Sequence, residues 1–458
     1  MRAASAHGQW RIIVAAAAVS AVLSVLATLL ALGYVRQKEL QQAAHSESLR
    51  ATKAAADAHA AANRRLRARD QAEELVGFLL DDLRDELIQL NRSDLLGAAA
   101  EKSVAYFDQL PPDLVTPESQ ARLASVLMTL SDAHYQQGNE RGAIAAAQRS
   151  IEIWKRLSAA GDPDGSYTVR LGRALGELGL YQNRSDDPYA ARESYLQILR
   201  LYENPPPGLK DDGWRDHGVA KAHMGLGEIE RLRKNYPEAR TEYAKAITHI
   251  VTALKHDPNE ISWLQMTMTL HNNTGVTFMH DKNYPAAEEA FQRALEPNRA
   301  LIRLEPKNRR WERELATTTL NLGSLLHLQK DYTRAEPFLR EALTLRQGLV
   351  AWDPKNSRWL RQLAHAWHRM AVFQFDLPEN TNALASAYHA LAAQRRLLTL
   401  EPDDKRVPEE IQEYMEKYRE RLTAAGMTNE AGQIVHDSIG QSEAARNGKR
   451  ISESLRQP

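Results

Sequence analysis

His365 and His368 are the pair in this chain best spaced to share a metal ion, because residues three apart meet on one face of a helix. A catalytic or structural centre needs at least one further ligand, and the usual source of one is missing: the chain has no cysteine. That absence excludes a disulfide framework, a thiolate zinc site, an iron–sulfur cluster and a cysteine nucleophile. Gly225-Leu226-Gly227 runs on into Glu228-Ile229-Glu230, which cannot cradle a phosphate. Neither a nucleophile elbow nor a His-Glu-x-x-His pair occurs. The carboxylates mostly have Lys or Arg nearby on helical surfaces, the pattern of solvated faces. The sequence therefore reads as that of a non-enzyme without a cofactor, a His365/His368 metal-dependent enzyme being the remote alternative.

The elements that would position these side chains repeat along the chain. Tyr236-Pro-Glu-Ala239-Arg-Thr-Glu-Tyr243-Ala-Lys-Ala246 stands beside Tyr284-Pro-Ala-Ala287-Glu-Glu-Ala-Phe291-Gln-Arg-Ala294 and Tyr332-Thr-Arg-Ala335-Glu-Pro-Phe-Leu339-Arg-Glu-Ala342. The first alanine recurs at Ala143, Ala191, Ala239, Ala287, Ala335 and Ala383, a step of 48 residues. Twelve residues before it stands Gly179, Gly227, Gly275 or Gly323, with Ser131 in the first copy. Small residues at this spacing mark a close crossing of two antiparallel helices, and the aromatic four places after the alanine fills the gap beside it. Trp263, Trp311 and Trp359 follow Asp257-Pro258, Glu305-Pro306 and Asp353-Pro354. Their equal spacing assigns them to the seam between copies in preference to ligand stacking. After the sixth copy, Ile411, Tyr414, Met415, Tyr418 and Leu422 form one further apolar stripe.

This Leu-Gly, Ala, aromatic, Ala spacing resembles the tetratricopeptide repeat, lengthened from its usual 34 residues by about two turns per helix. The resemblance implies a concave groove lined by the first helix of each pair. Its groove-facing positions fall here on Lys221, Met224, Glu228 and Arg231 in the third copy, and on Asn272 and Met279 in the fourth. His327 follows in the fifth, and His365, His368 and Phe375 in the sixth. This mixed polar lining with Met and Phe suits a protein or peptide partner. Lys221 and Asn272 are only fragments of the lysine-and-asparagine clamp that some relatives direct at carboxyl-terminal peptides.

Before the repeats, Ile12–Val35 carries no charge, and as a helix it would be about 36 Å long, enough to cross a bilayer. The expected fold class is thus all-α: a single N-terminal transmembrane helix, a helical stalk, and an α-solenoid of about six long tetratricopeptide-like pairs. The expected segments are a tail (1–11), a transmembrane anchor (12–35), a stalk (36–72), capping helices (73–118), the array (119–402), a capping helix (403–423) and a terminal tail (424–458) that loses the pattern. Arg64-Arg65-Leu66-Arg67-Ala68-Arg69 in the stalk reads as a solvated helix face.

Ala72–Leu87, rich in Leu75, Leu79, Leu83 and Leu87, with Ser93-Asp-Leu-Leu96 and Ala105-Tyr-Phe107, resembles the membrane-proximal part of bacterial transmembrane serine/threonine kinases with tetratricopeptide ectodomains. No kinase domain precedes it in this sequence. The resemblance implies a bacterial inner-membrane protein, single-pass, with its repeats outside the cytoplasm, and the lack of cysteine suits that compartment. Balanced charge, 59 basic against 59 acidic residues, argues against a nucleic-acid partner. The functional reading is a membrane-anchored scaffold that binds protein or peptide partners in its groove, with the membrane met through residues 12–35. The alternative is a regulatory sensor coupled to a separately encoded kinase.

Overall fold

The computed structural model describes residues 3–77, 87, 92–206, 208–210, 212–377 and 382–434; for 3–19, 21, 75 and 93 it describes the backbone alone. The chain divides into two compact units, one of residues 1–77 with 111–114, the other of 78–110 with 115–458.

The first unit is one long helix, α1 (Ala3–Gly77), with a short 3-10 turn at Pro112–Leu114. Its Ala-rich composition sustains a helix with no apolar stripe to bury. Arg69 ties the two pieces by donating from Nη1 to the Leu114 carbonyl at 3.2 Å, and Arg64, Arg65 and Arg67 are exposed. The expected transmembrane helix is corrected here. Among the described residues, no helix is long and apolar enough to cross a membrane. The side chains of 12–19 and 21 lie outside the described residues. The fold class is therefore an all-α solenoid without that element, and the expected membrane contact through 12–35 goes with it. The leucine pattern of 73–91 and its kinase resemblance fall mostly outside the described residues.

The second unit opens with α2 (Ser93–Asp108), whose N-cap position is Arg92; Arg92 pairs with Asp94 at 2.9 Å. Six antiparallel pairs follow among the described residues. The first helices are α3 (Pro117–Gln136), α5 (Ser166–Arg184), α7 (Trp214–Leu232), α9 (Ile261–His280), α11 (Arg309–Leu328) and α13 (Ser357–Phe375). Their partners are α4 (Glu140–Ala160), α6 (Pro188–Glu203), α8 (Tyr236–Ala253), α10 (Tyr284–Leu304), α12 (Tyr332–Trp352) and α14 (Ala383–Leu400). Helix α15 (Arg406–Ala424) comes after them, and residues 428–434 are again helical.

Each pair is held by the features whose spacing repeats. The six alanines from Ala143 to Ala383 are all 0% exposed. A methyl group built on Gly179, Gly227 or Gly275 would come within 2.6–2.7 Å of the ring of Tyr195, Tyr243 or Phe291, so each glycine is the floor on which the aromatic lies. Ser131 replaces the glycine in the first copy and donates to the Ala143 carbonyl at 2.6 Å.

The turn inside each pair also repeats. Gly138, Asp186, Lys234, Lys282 and Lys330 all have positive φ, between 58° and 75°. The residue after each donates its N–H five residues back, as Asn283 does to Phe278 at 2.9 Å, closing the first helix in a Schellman-type turn. Side chains of Asn139, Asp187, Asn283 and Asp331 then cap the second helix. Trp263 and Trp311 are each 2% exposed; Trp311 donates to Glu305 at 2.7 Å, and Trp263 meets Trp214 edge to face at 5.4 Å. Burial closes them to ligands.

Candidate functional site: the face of the first helices

Because first helices of successive pairs lie side by side, one residue of a copy meets the residue one place further on in the next copy. The Tyr181 hydroxyl donates to Asp132 at 2.5 Å, Asn321 Nδ2 to Asn272 Oδ1 at 3.1 Å, and Arg361 Nη1 to Glu410 at 2.6 Å; His327 Nε2 stands 2.9 Å from Asp376. Each link spans 49 residues. Their partners Asp132, Asn321, Asp376 and Glu410 were missed in the sequence, although adding one residue to the 48-residue period finds them all.

The groove candidates fall into separate groups along this ladder. Lys221 forms an ion pair with Glu177 of the preceding copy. Glu228 holds Arg231 at 2.6 Å and accepts from the Tyr243 hydroxyl at 3.1 Å, and that pairing keeps the Arg231 guanidinium above its ordinary range. Met224 packs against the cluster that includes Tyr243 and Ile250, and Met279 against the large cluster that includes Leu320. Asn272 is half-buried and engaged across the copies.

At the far end the candidates are covered. His368 is 4% exposed, stacks on Tyr414 at 4.0 Å and has Nδ1 2.9 Å from the Tyr418 hydroxyl. Phe375 lies 6.1 Å from the Tyr418 ring. Both therefore pack against α15. His365 Nε2 accepts from Arg369 at 3.3 Å. Burial is the first cause, and neighbouring positive charge the second, that lowers both histidines to about 3, so the two rings are neutral. With His368 Nδ1 taken by Tyr418 and His365 Nε2 by Arg369, the pair is engaged in packing. His327 stands edge-on to Phe373 at 5.5 Å, and burial lowers its pKa as well.

Four arginines that were not singled out in the sequence lie on α5, α12 and α13. Arg346 on α12 is 4% exposed and donates from Nη1 to the Gln362 carbonyl at 2.5 Å; desolvation pushes it down to about 10. Arg358, Arg369 and Arg184 have no ion pair among the described residues. Arg358 keeps its exposure, yet desolvation lowers its pKa, and its electrostatic neighbours are Arg313, Glu314, Tyr135 and Arg184.

Two tetratricopeptide-repeat profiles match the chain, one over residues 123–164 and 315–350, the other over 170–258 and 240–302. No curated protein matches it. Among solved structures it is similar to BtubC from P. vanneervenii, with 20% identity, a TM-score of 0.44, and 56% of this chain and 92% of that one covered. It is also similar to the Rap conjugation gene regulator of plasmid pLS20 in complex with the Phr* peptide (13% identity, TM-score 0.43, coverage 84% and 98%). A third is the apo form of the quorum sensor NprR from B. thuringiensis (13%, 0.41, 81% and 99%). The matched segments contain the same small residues, aromatics and turns that build the pairs, and over these segments the chain carries tetratricopeptide repeats.

Proposed function

We propose that this chain is a non-enzymatic scaffold that binds a protein or peptide partner along the face of its first helices. The observation that carries this reading is the ladder itself. Half-buried polar side chains line adjacent first helices, Lys221, Glu228 and Arg231 on α7 and Asn272 on α9, and Lys221 and Asn272 are linked to the neighbouring copies, with Met224 and Met279 on the same helices. Stacked repeats generate an extended concave surface of this kind, and charged pairs beside flexible apolar side chains suit adaptable recognition. Photo-crosslinking in the native cell tests it. A crosslinking residue at Met224 should capture a discrete set of partners, and Arg231→Glu with Asn272→Ala should deplete that set, while the same probe at Arg293 on the outer helix α10 should not capture it. An unchanged partner set in the double variant would remove the groove assignment. We also place the array outside the cytoplasm, on its lack of cysteine; a compartment-sensitive reporter fused after residue 458 that is active only in the cytoplasm would overturn this.

A further inference from the structure

Helix α15 packs on the sixth pair, and the contact between them is made largely of aromatic rings. On α15, Tyr414 and Tyr418 are buried together with Val407, Ile411 and Leu422, while Gln412, Glu416, Arg419 and Glu420 are exposed. Set against the two tyrosines is one ionisable ring of α13. His368 is 4% exposed, lies parallel to Tyr414 with ring centroids 4.0 Å apart, and has Nδ1 2.9 Å from the Tyr418 hydroxyl; Phe375 reaches the Tyr418 ring at 6.1 Å. The charges acting on this ring are positive from both helices: Arg369 on α13, with His365 one turn away, and Lys417 and Arg421 on α15. Arg346 on α12 acts in turn on His365. Lys417 has its own counterion in Glu413 at 2.5 Å, and Arg421 has Asp376 at 3.3 Å. Among the described residues no carboxylate is bonded to His368.

A ring in this position stays docked only while it is neutral. As a cation it would lose its hydration in an almost closed seam and stand among like charges. Burial first, and those charges after it, lower the His368 pKa from 6.5 to about 3. We propose that α15 is an acid-released closure of the sixth pair: proton uptake by His368 frees α15 from α13 and uncovers Tyr414, Tyr418 and Phe375 as an aromatic surface. This goes beyond the groove reading and does not depend on it. The other ties across the contact respond differently. Arg361 is held by Asp404 and Glu410 at 2.6 Å each, and the Arg406 guanidinium holds the Asp404 carboxyl well below the usual carboxylate range, so that clamp persists in mild acid. It grips α15 at its start, whereas His368 meets Tyr414 and Tyr418 further along, so the clamp is the hinge and the histidine the latch. The pair of Arg421 with Asp376 is partly exposed at both partners and adds little. The docked ring refuses a proton that the released ring binds, so docking weakens as the pH falls below 6.5. Between pH 7 and pH 5 the ratio of released to docked α15 rises about twenty-fivefold through His368 alone.

Hydrogen–deuterium exchange of the full chain, read by mass spectrometry and corrected for the intrinsic effect of pH on exchange, tests this. Between pH 7 and pH 5, protection of the α15 amides should fall at least about twenty-fivefold more than that of α4, a helix without histidine. His368→Gln can still bond the Tyr418 hydroxyl but takes up no proton in this range, and it should cut the extra fall by about that factor. Tyr418→Phe should loosen α15 at both pH values and keep the fall, because it removes a bond and leaves the titrating ring. In wild-type protein labelled with 13C-histidine, the His368 ring signal of the docked chain should stay that of a neutral ring down to pH 5. The proposal is overturned if α15 and α4 lose protection together, if the fall persists in full in His368→Gln, or if the His368 ring of the folded chain titrates near 6.5.

Discussion

Replacing Gly227 by alanine puts one methyl group where the close crossing leaves no room. The new Cβ would stand 2.6 Å from Tyr243 Cε1, 2.7 Å from Cδ1 and 3.1 Å from the Ala239 carbonyl oxygen, where relaxed carbon contacts need about 3.5–4.0 Å. Tyr243 cannot swing aside cheaply: it is fully buried and its hydroxyl is tied to Glu228 at 3.1 Å. Overpacking of this kind costs about 1–3 kcal/mol, and the better helix propensity of alanine returns about 1 kcal/mol. Because Tyr243 cannot yield, the upper part of that range applies, about 2–3 kcal/mol, and the net expectation is a loss of about 1–2 kcal/mol. Gly348, in α12, is the control, because a methyl group there meets nothing within 4 Å. Gly348→Ala should gain about 1 kcal/mol from propensity alone. Urea unfolding of the full chain followed by far-ultraviolet circular dichroism should therefore order the midpoints Gly348→Ala, wild type, Gly227→Ala. Adding Tyr243→Leu to Gly227→Ala should recover part of the loss, since Leu339 already occupies the equivalent place opposite Gly323. A Gly227→Ala protein as stable as wild type would refute the close-crossing argument for the whole array.

Lys282 has φ of 58°, a left-handed conformation that costs a side-chain-bearing residue about 1–2 kcal/mol, so Lys282→Gly should stabilise by about 0.5–1 kcal/mol after the added unfolded-state entropy; a lower urea midpoint would contradict the turn assignment. His365 and His368 are lowered from 6.5 to about 3, so between those values the unfolded chain binds protons that the folded chain refuses. Their contribution is present above pH 6.5 and is lost as the pH falls towards about 3; His368→Gln should show a smaller drop in urea midpoint between neutrality and about pH 5 than wild type, and an identical drop would refute the buried neutral ring. Tyr181→Phe removes the bridge to Asp132 between the first two copies and should cost about 1 kcal/mol, measured by the same unfolding assay, with no loss expected if the hydroxyl were free.

The sequence by itself determined the repeated part of this protein. The alanines, glycines and aromatics at a 48-residue step could satisfy only a recurring helix crossing, because each unit must bury the same face against its neighbour. Trp263 and Trp311 were legible as seam residues for the same reason. The turn was also written there, in Asn or Asp four residues before each of the first five alanines, though its left-handed lysines could not be foreseen, since lysine has no intrinsic preference for positive φ.

Tertiary structure alone decided the rest. Groove positions counted along a helix cannot show that α15 lies against His368 and Phe375, because the covering residues belong to an element outside the repeat. Nor can counting along the repeat show that Arg361 is held by Asp404 and Glu410, which also lie beyond the last pair. The apolar run near the amino terminus shows the converse: hydropathy alone suggested a membrane helix, and the described residues contain no helix long and apolar enough to be one. Local periodicity fixes how each pair is made, whereas packing against elements outside the repeat fixes which of its positions stay open.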